Sequence, residues 1–140
     1  MLKRILLVLF ILTLTKVYSM DITVNIEIRN IKESSGKTYV AIFNSESSYK
    51  EQKAFKSYIV ESNNSVVKIE DKLQEGYYLV SVFQDLNNNG ELDMNFLGIP
   101  KEPIGLSNYK GNGIPGGFDK LKIKLSEDNQ NVIIKMIKMF

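Results

Sequence analysis

Cysteine and histidine are both absent from the 140 residues of the chain. Without cysteine there can be no disulfide, no thiol nucleophile and no lipid-carrying cysteine. Zinc and copper lose their commonest ligands, and a serine nucleophile loses its usual histidine base. A nucleophilic Ser107 paired with Lys101 or Lys110 stays formally open, but no other part of the sequence supports it.

Long apolar runs are scarce, and the one at the N-terminus has the form of a secretory signal. Lys3 and Arg4 precede an apolar run at 5–14. This run is short for a membrane span, and Ser19 offers a small side chain at a cleavage position. We expect a signal peptide at 1–19, cleaved after Ser19, with export to the periplasm or the extracellular space. An uncleaved N-terminal anchor is the alternative.

The small excess of basic residues belongs to this N-terminal segment. The chain has 18 basic and 16 acidic residues, and Lys3, Arg4 and Lys16 lie in the expected signal. The rest has 15 basic and 16 acidic residues, a net charge of about −1. A nucleic-acid-binding protein needs more positive charge, so we expect no such partner. We expect no membrane span after the signal is removed.

Alternating apolar and polar residues predict a β protein. Every second residue from Ile22 to Ile28 is Ile or Val, as in a strand with one buried face. Further apolar segments follow at the spacing of a β-sandwich, without a strand–helix–strand rhythm. One or two helical turns are expected within 45–55. The predicted strands are 21–29, 37–44, 57–61, 65–70, 77–84, 120–126 and 132–138.

These elements predict an all-β fold in which residues 20–140 form a single domain. The expected architecture is a seven-stranded antiparallel β-sandwich. A turn is expected at 71–76, where Leu73, Gly76 and Tyr78 form the pattern Leu-x-x-Gly-x-Tyr. Such a corner uses glycine for a positive φ, and its tyrosine hydroxyl binds nearby backbone.

The interval between the fifth and sixth predicted strands, 85–119, is the most unusual part of the chain. It holds seven of the nine glycines and all three prolines. A loop of this length is usually either functional or disordered. Its apolar residues, which include Phe96, Leu97 and Ile99, exceed what a solvated segment carries, so we expect an ordered loop.

Oxygen-bearing side chains stand at alternate positions at the start of this loop, around Gly90. The spacing resembles the opening of a calcium-binding loop, in which a backbone carbonyl also serves as a ligand. Phe96 stands where a bidentate glutamate would be expected, so Asn95 or Glu102 would have to complete the shell. The candidate Ca²⁺ ligands are Asp85, Asn87, Asn89, Glu91 and Asp93.

Other interpretations of the loop stay open. An Asp- and Asn-rich segment can form turns through its own side chains without any ion. Carboxylates at a suitable separation could hydrolyse a glycosidic bond, and the candidates are Asp85, Asp93, Glu102 and Asp119. Aromatic side chains could stack on a sugar or peptide, or could pin the loop to the core. These aromatic residues are Phe96, Tyr109 and Phe118.

The leading hypothesis is an exported, non-enzymatic interaction module with 85–119 as its recognition surface. Its partner would be a protein or glycan of the cell envelope. The further candidates for ligand contacts are Asn95, Glu102, Ser107 and Asn108. An envelope hydrolase that uses the loop carboxylates and a purely structural envelope protein are the alternatives.

A family resemblance rests on the loop. The run Asp85-x-Asn87-x-Asn89-Gly90-x-Leu92-Asp93 continues as Asn95-x-x-Gly98-Ile99-Pro100-x-Glu102-Pro103-x-Gly105-x-Ser107-Asn108. Together with the strand at 40–44 and the tyrosine corner, it resembles secreted bacterial proteins catalogued as domain of unknown function 2141. The resemblance implies export and an immunoglobulin- or transthyretin-like β-sandwich. It implies no activity, because no function is established for that family.

Overall fold

The computed structural model describes residues 20–33 and 35–139. The expected signal peptide at 1–19 lies outside them. The fold is all-β, and its eight described strands form two sheets. Its elements are β1 Asp21–Arg29, β2 Lys37–Phe43, α1 Glu46–Lys50, β3 Lys56–Glu61, β4 Val66–Gln74, β5 Gly76–Asp85, β6 Ile104–Leu106, α2 Phe118–Leu121, β7 Ile123–Leu125 and β8 Asn131–Lys135.

The first sheet has the strand order β4–β1–β8. The alternation predicted for β1 is confirmed, because every second residue from Ile22 to Ile28 is buried. β1 pairs with β4 in antiparallel register along its full length and with β8 in parallel register. The parallel pair departs from the antiparallel sandwich that the sequence predicts.

The second sheet has the order β3–β2–β5–β6, and β7 also pairs with β5. The apolar run at the end of β2 lies against two different clusters. Val40 and Ile42 join the main core between the two sheets, whereas Phe43 packs with Leu79 and Phe118 in a smaller cluster. An uninterrupted apolar run is therefore buried on both faces of the strand.

The tyrosine corner is confirmed in part. The Tyr78 hydroxyl donates to the Gln74 carbonyl at 2.9 Å, and Tyr78 is buried. Gly76 does not have a positive φ; a Cβ at this position would lie 3.5 Å from the Tyr78 ring. The predicted turn at 71–76 is wrong, because β4 continues to Gln74 before the chain reverses into β5.

Two further differences concern the C-terminal part. The predicted strand at 120–126 is a helical turn, α2, followed by the short strand β7. The eighth strand is β6, which lies inside the interval 85–119 that the sequence predicts as a loop. Leu121, Ile123 and Leu125 alternate as in a strand, whereas the buried Phe118, Leu121 and Leu125 have the spacing of three and four residues that suits a helical turn. The last strand ends at Lys135 rather than residue 138.

Side-chain hydrogen bonds join the two sheets between their outer strands β3 and β4. Lys56 Nζ donates to Asp71 Oδ2 at 2.7 Å, and the Tyr58 hydroxyl donates to the same oxygen. Burial raises the pKa of Asp71, but the hydrogen bonds from Lys56 and Tyr58 outweigh it and hold the pKa below its usual value. Burial and the Asp71 carboxylate raise the pKa of Tyr58.

Candidate functional site

The long loop begins at a buried carboxylate. Asp85 is 0% exposed, and its oxygens accept from the backbone N–H groups of Asn89 at 3.2 Å and Gly90 at 2.8 Å. Gly36, at φ +64°, passes so close that a Cβ there would lie 1.6 Å from the Asp85 carbonyl oxygen. The start of the loop is therefore folded around Asp85 and held beneath the β1–β2 turn.

A second buried carboxylate joins the two arms of the loop. Glu102 Oε1 accepts from the Leu86 N–H at 2.8 Å, and Oε2 accepts from the Asp93 N–H at 3.2 Å. Each carboxylate of the pair Asp85 and Glu102 thus accepts hydrogen bonds from two backbone N–H groups of the loop. Glu102, a candidate for ligand contact, is buried and occupied by these bonds.

The candidate Ca²⁺ ligands outside the core form a network on the surface. Asn87 Nδ2 donates to Asp93 Oδ2 at 2.5 Å, and Asn89 Nδ2 donates to both Asp93 oxygens at 3.1 and 3.2 Å. The amide oxygens of Asn87 and Asn89 accept backbone N–H groups two residues ahead, as in Asx turns. The exposed Glu91 contributes its backbone N–H to one of these turns.

The structure therefore brings together three of the five candidate ligands, with Asp85 directly behind them. Within 20–33 and 35–139 no three acidic, histidine or cysteine side chains are arranged to hold a metal ion. Asparagine side-chain oxygens can also bind a cation, and here the side chains of two asparagines, Asn87 and Asn89, contact the side chain of Asp93. The positive φ values of Asn88 and Gly90 fit the tight turn that this requires.

Beyond Asp93 the chain forms a small hairpin. Met94 and Pro100 are bridged, and the Lys101 N–H donates to the Asp93 carbonyl at 2.8 Å. Asn95 holds the turn, because its Oδ1 accepts from the N–H groups of Leu97 at 2.9 Å and Ile99 at 3.0 Å. Asn95, a candidate for ligand contact, thus shapes the turn with its side-chain oxygen.

This hairpin presents apolar side chains to solvent. Phe96 is 95% exposed, Leu97 67% and Met94 52%, and we call these three residues the apolar tip. Hydrogen bonds hold the turn, yet none of the three side chains belongs to a core cluster. The sequence predicts Phe96 as a stacking residue, but it does not single out Met94 or Leu97. The turn signal from Asn95 to Gly98 is the feature that could have identified all three.

The second half of the loop packs inward. Ser107 is buried; its Oγ accepts from the Val80 N–H at 3.0 Å and donates to the Leu121 carbonyl at 2.6 Å. Asn108 Nδ2 donates to the Lys122 carbonyl at 2.6 Å. Both candidates for ligand contact therefore fasten the loop to the segment around α2.

The three loop aromatics take different positions. Phe118 is buried in the smaller cluster, and Tyr109 packs against that cluster with its hydroxyl donating to the Gly113 carbonyl at 2.5 Å. These two side chains pin the loop to the core. Phe96 is the loop aromatic that faces solvent fully.

The four candidate hydrolytic carboxylates do not share one environment. Asp85 and Glu102 bind backbone N–H groups, whereas Asp93 binds asparagine amides. Asp119 lies exposed on α2 and pairs with Lys122 at 2.5 Å. The hydrogen bond from Lys122 lowers the pKa of Asp119, which suits a permanently ionised group rather than a proton donor.

Comparisons with known proteins give one match. Neither a curated protein nor a solved structure matches the chain. In the part of the chain that the structure describes, both helices are single turns that could not cross a bilayer. The profile of a family described as an uncharacterised protein conserved in bacteria, DUF2141, matches residues 26–133. Because this match covers well over half of the 140 residues, the resemblance is confirmed and the chain belongs to the DUF2141 family.

Proposed function

We propose that the chain is an exported, non-enzymatic interaction module whose 85–119 loop is its recognition surface. The apolar tip carries the proposal: a fully exposed aromatic ring and two aliphatic neighbours stand on a turn fixed by hydrogen bonds. Exposed clusters of large apolar side chains mark protein interaction sites. A rigid presentation lowers the entropy that is lost on binding.

The bracing of the loop supports a display role. Asp85 and Glu102 use their buried charge to hold backbone N–H groups, and such charge-assisted hydrogen bonds are strong. The stability of the turn therefore comes from polar groups inside the loop, so its apolar side chains are free to meet a partner. Because these two carboxylates already accept hydrogen bonds from backbone N–H groups, they are poorly placed to act on a substrate, which favours a binding module over a glycoside hydrolase.

Other parts of the proposal rest on the sequence and on the coarse fold. Export is inferred from the signal-like residues 1–19. An immunoglobulin- or transthyretin-like sandwich is supported by two sheets that enclose one main core. The envelope protein or glycan that we propose as partner would meet the apolar tip.

Photocrosslinking tests this role directly. A photoreactive side chain at position 96 is expected to form a discrete adduct when the mature protein is mixed with an envelope fraction. The same side chain at Ile59, an exposed apolar position on β3, is the control. Leu97→Asp should abolish the adduct at 96 without changing the melting temperature. Equal adducts from positions 96 and 59, or none from either, would contradict the proposal.

Calcium belongs to the proposal as a ligand of the Asn87, Asn89 and Asp93 network. Turning the two amides would direct three oxygen-bearing side chains at one point, and oxygen ligands suit Ca²⁺. Turning the amides gives up the two Asx-turn hydrogen bonds that their oxygens accept, so the ion would replace these bonds rather than add to them. Calorimetric titration with Ca²⁺ and with Mg²⁺ decides: no heat and no change in melting temperature at millimolar Ca²⁺ would remove calcium from the proposal.

A further inference from the structure

A concave surface lies where the edges of the two sheets meet, and it includes none of the residues of the apolar tip. After β8 the chain crosses to the other sheet, and Ile137 exchanges backbone hydrogen bonds of 2.8 and 2.9 Å with Ile104. This crossing leaves a cleft of about 670 Å³, within the size range of small-ligand pockets. We call it the corner cleft, and its lining residues are Arg29, Asn30, Leu106, Asn108, Tyr109, Lys110, Ile133, Lys135 and Ile137.

The walls of the corner cleft are fixed by defined contacts. On one side the Met136 N–H donates to the Arg29 carbonyl at 2.9 Å. On the other side Gly111, at φ +88°, packs so tightly that a Cβ would lie 3.0 Å from Ile137 Cδ1. The hydrogen bonds of Asn108 and Tyr109 hold the same wall. The cleft is therefore a preformed feature of the fold.

Charge in the corner cleft has one sign. Three cationic side chains line it, Arg29, Lys110 and Lys135, which we call the cation set, and no carboxylate is among its lining residues. Arg29 Nε donates to Glu27 at 2.5 Å, which uses one of the five guanidinium donors. Among the residues that the structure describes, no carboxylate lies within ion-pair distance of Lys110 or Lys135.

Two members of the cation set form a pair of like charges on neighbouring strands. Arg29 and Lys135 occupy paired positions on β1 and β8, and both point away from the main core. Like charges at neighbouring cross-strand positions are destabilising. Residues 20–140 carry a net charge of about −1, so the cations are not part of a generally basic surface. Glu27 already pairs with Arg29, so an anion in the cleft would chiefly balance the charges of Lys110 and Lys135.

Apolar side chains share the cleft with the cations. Leu106, Ile133 and Ile137, which we call the apolar set, come from β6, β8 and the crossing segment. Ile133 is exposed on a strand whose other outward residues are polar. An inorganic ion would use the cations and leave this apolar surface in water. A lining that is both positively charged and apolar suits a ligand that has both a negative charge and a hydrocarbon part.

We propose that the corner cleft binds a small amphiphilic organic anion. Its acidic group lies among the cation set, and its hydrocarbon part lies on the apolar set. The guanidinium can hold a carboxylate with two parallel hydrogen bonds, and the lysines add charge without fixing a geometry. The second half of the 85–119 loop lines this site, but none of the three residues of the apolar tip does, so the site does not depend on a partner that binds the tip.

Three probes test the proposal. Octanoate has both a negative charge and a hydrocarbon chain, octanol has a hydrocarbon chain without a charge, and inorganic phosphate has a charge without a hydrocarbon chain. We expect octanoate to shift the backbone amide NMR signals of Asn30, 108–110 and 133–137 in a saturable manner. Phosphate and octanol should bind at least about tenfold more weakly, because each loses one half of the contacts. Octanoate binding should also weaken as salt is raised.

Matched variants assign the effect to the cleft. Lys110→Gln with Lys135→Gln should weaken octanoate binding about tenfold or more, since hydrogen bonds to charged groups are lost. Lys72→Gln with Lys124→Gln removes the same charge from exposed positions outside the cleft and should leave binding unchanged. Phe96→Ser should also leave it unchanged.

Several results would overturn the proposal. These are no saturable binding of octanoate, signal shifts confined to other residues, or an equal loss of binding in both lysine pairs. Phosphate that binds as tightly as octanoate would overturn the amphiphilic part, because the apolar set would then contribute nothing.

Discussion

The two halves of the 85–119 loop differ in composition and in how they fold: 85–102 has two glycines and one proline, and 103–119 has five glycines and two prolines. In 85–102 the polar side chains lie inside, where Asp85 and Glu102 collect backbone N–H groups, and Phe96 faces solvent. In 103–119 Ile104 and Phe118 are buried, although Ile114 is exposed. Internal hydrogen bonds hold the first half and contacts with the core hold the second, so the exposed apolar side chains of the first half stand on a turn that polar groups stabilise.

Removing a buried ring should cause the largest loss of stability, and it tests the second half. Phe118→Ala is expected to lower the free energy of unfolding by about 3–5 kcal/mol, because it leaves a cavity in the smaller cluster. Ile114→Ala is the control, since Ile114 is exposed in the same half and should change less than about 0.5 kcal/mol. Urea denaturation measures both. Similar losses in the two variants would show that core packing does not hold this half.

The first half should respond most to loss of a carboxylate. Glu102→Ala leaves the Leu86 and Asp93 N–H groups without acceptors, and we expect a loss of about 2–4 kcal/mol in the free energy of unfolding. Glu102→Gln keeps one oxygen and should lose roughly half as much. Hydrogen exchange should locate the change at those two amides. A loss in Glu102→Gln equal to that in Glu102→Ala would mean that charge, rather than the acceptor count, supports the loop.

Asp71, a carboxylate outside the loop, can be compared with Glu102, because Asp71 accepts hydrogen bonds from side chains rather than from backbone N–H groups alone. Its folded-state pKa is lowered, so its contribution is present above the unfolded pKa, near 4, and disappears as pH falls through the folded value. Asp71→Asn should therefore cost about 1–2 kcal/mol at pH 7 and almost nothing once the pH lies below the folded-state pKa of Asp71. Urea denaturation from neutral to acid pH measures the difference. Asp128→Asn, at an exposed turn, is the control and should change the free energy of unfolding by less than about 0.5 kcal/mol at pH 7.

The sequence predicts those features that depend on neighbouring residues. The alternation in β1 and the hydroxyl bond of Tyr78 are local patterns with a direct physical cause. At 120–126 the same apolar residues fit a strand or a helical turn, and contacts of Phe118 with distant residues decided the outcome. Such contacts cannot be read from local spacing.

The candidate site was predictable to a similar degree. Asx-rich spacing identified the Asn87, Asn89 and Asp93 network, but not that Asp85 and Glu102 would turn inward to backbone groups. The corner cleft was not predictable, because β1 and β8 meet in a parallel pair across about a hundred residues of sequence.

The smallest effect on stability is expected at the apolar tip, and it separates display from support. Phe96→Ser should change the free energy of unfolding by less than about 0.5 kcal/mol, because the exposed ring packs against neither core cluster. Gly98→Ala is a useful contrast: nothing blocks a Cβ there, but φ is +74°, so backbone strain should cost about 1–2 kcal/mol. Thermal unfolding of both variants tests this order. If Phe96→Ser were the more destabilising, the ring would support the turn, and the apolar tip would no longer be a surface kept free for a partner.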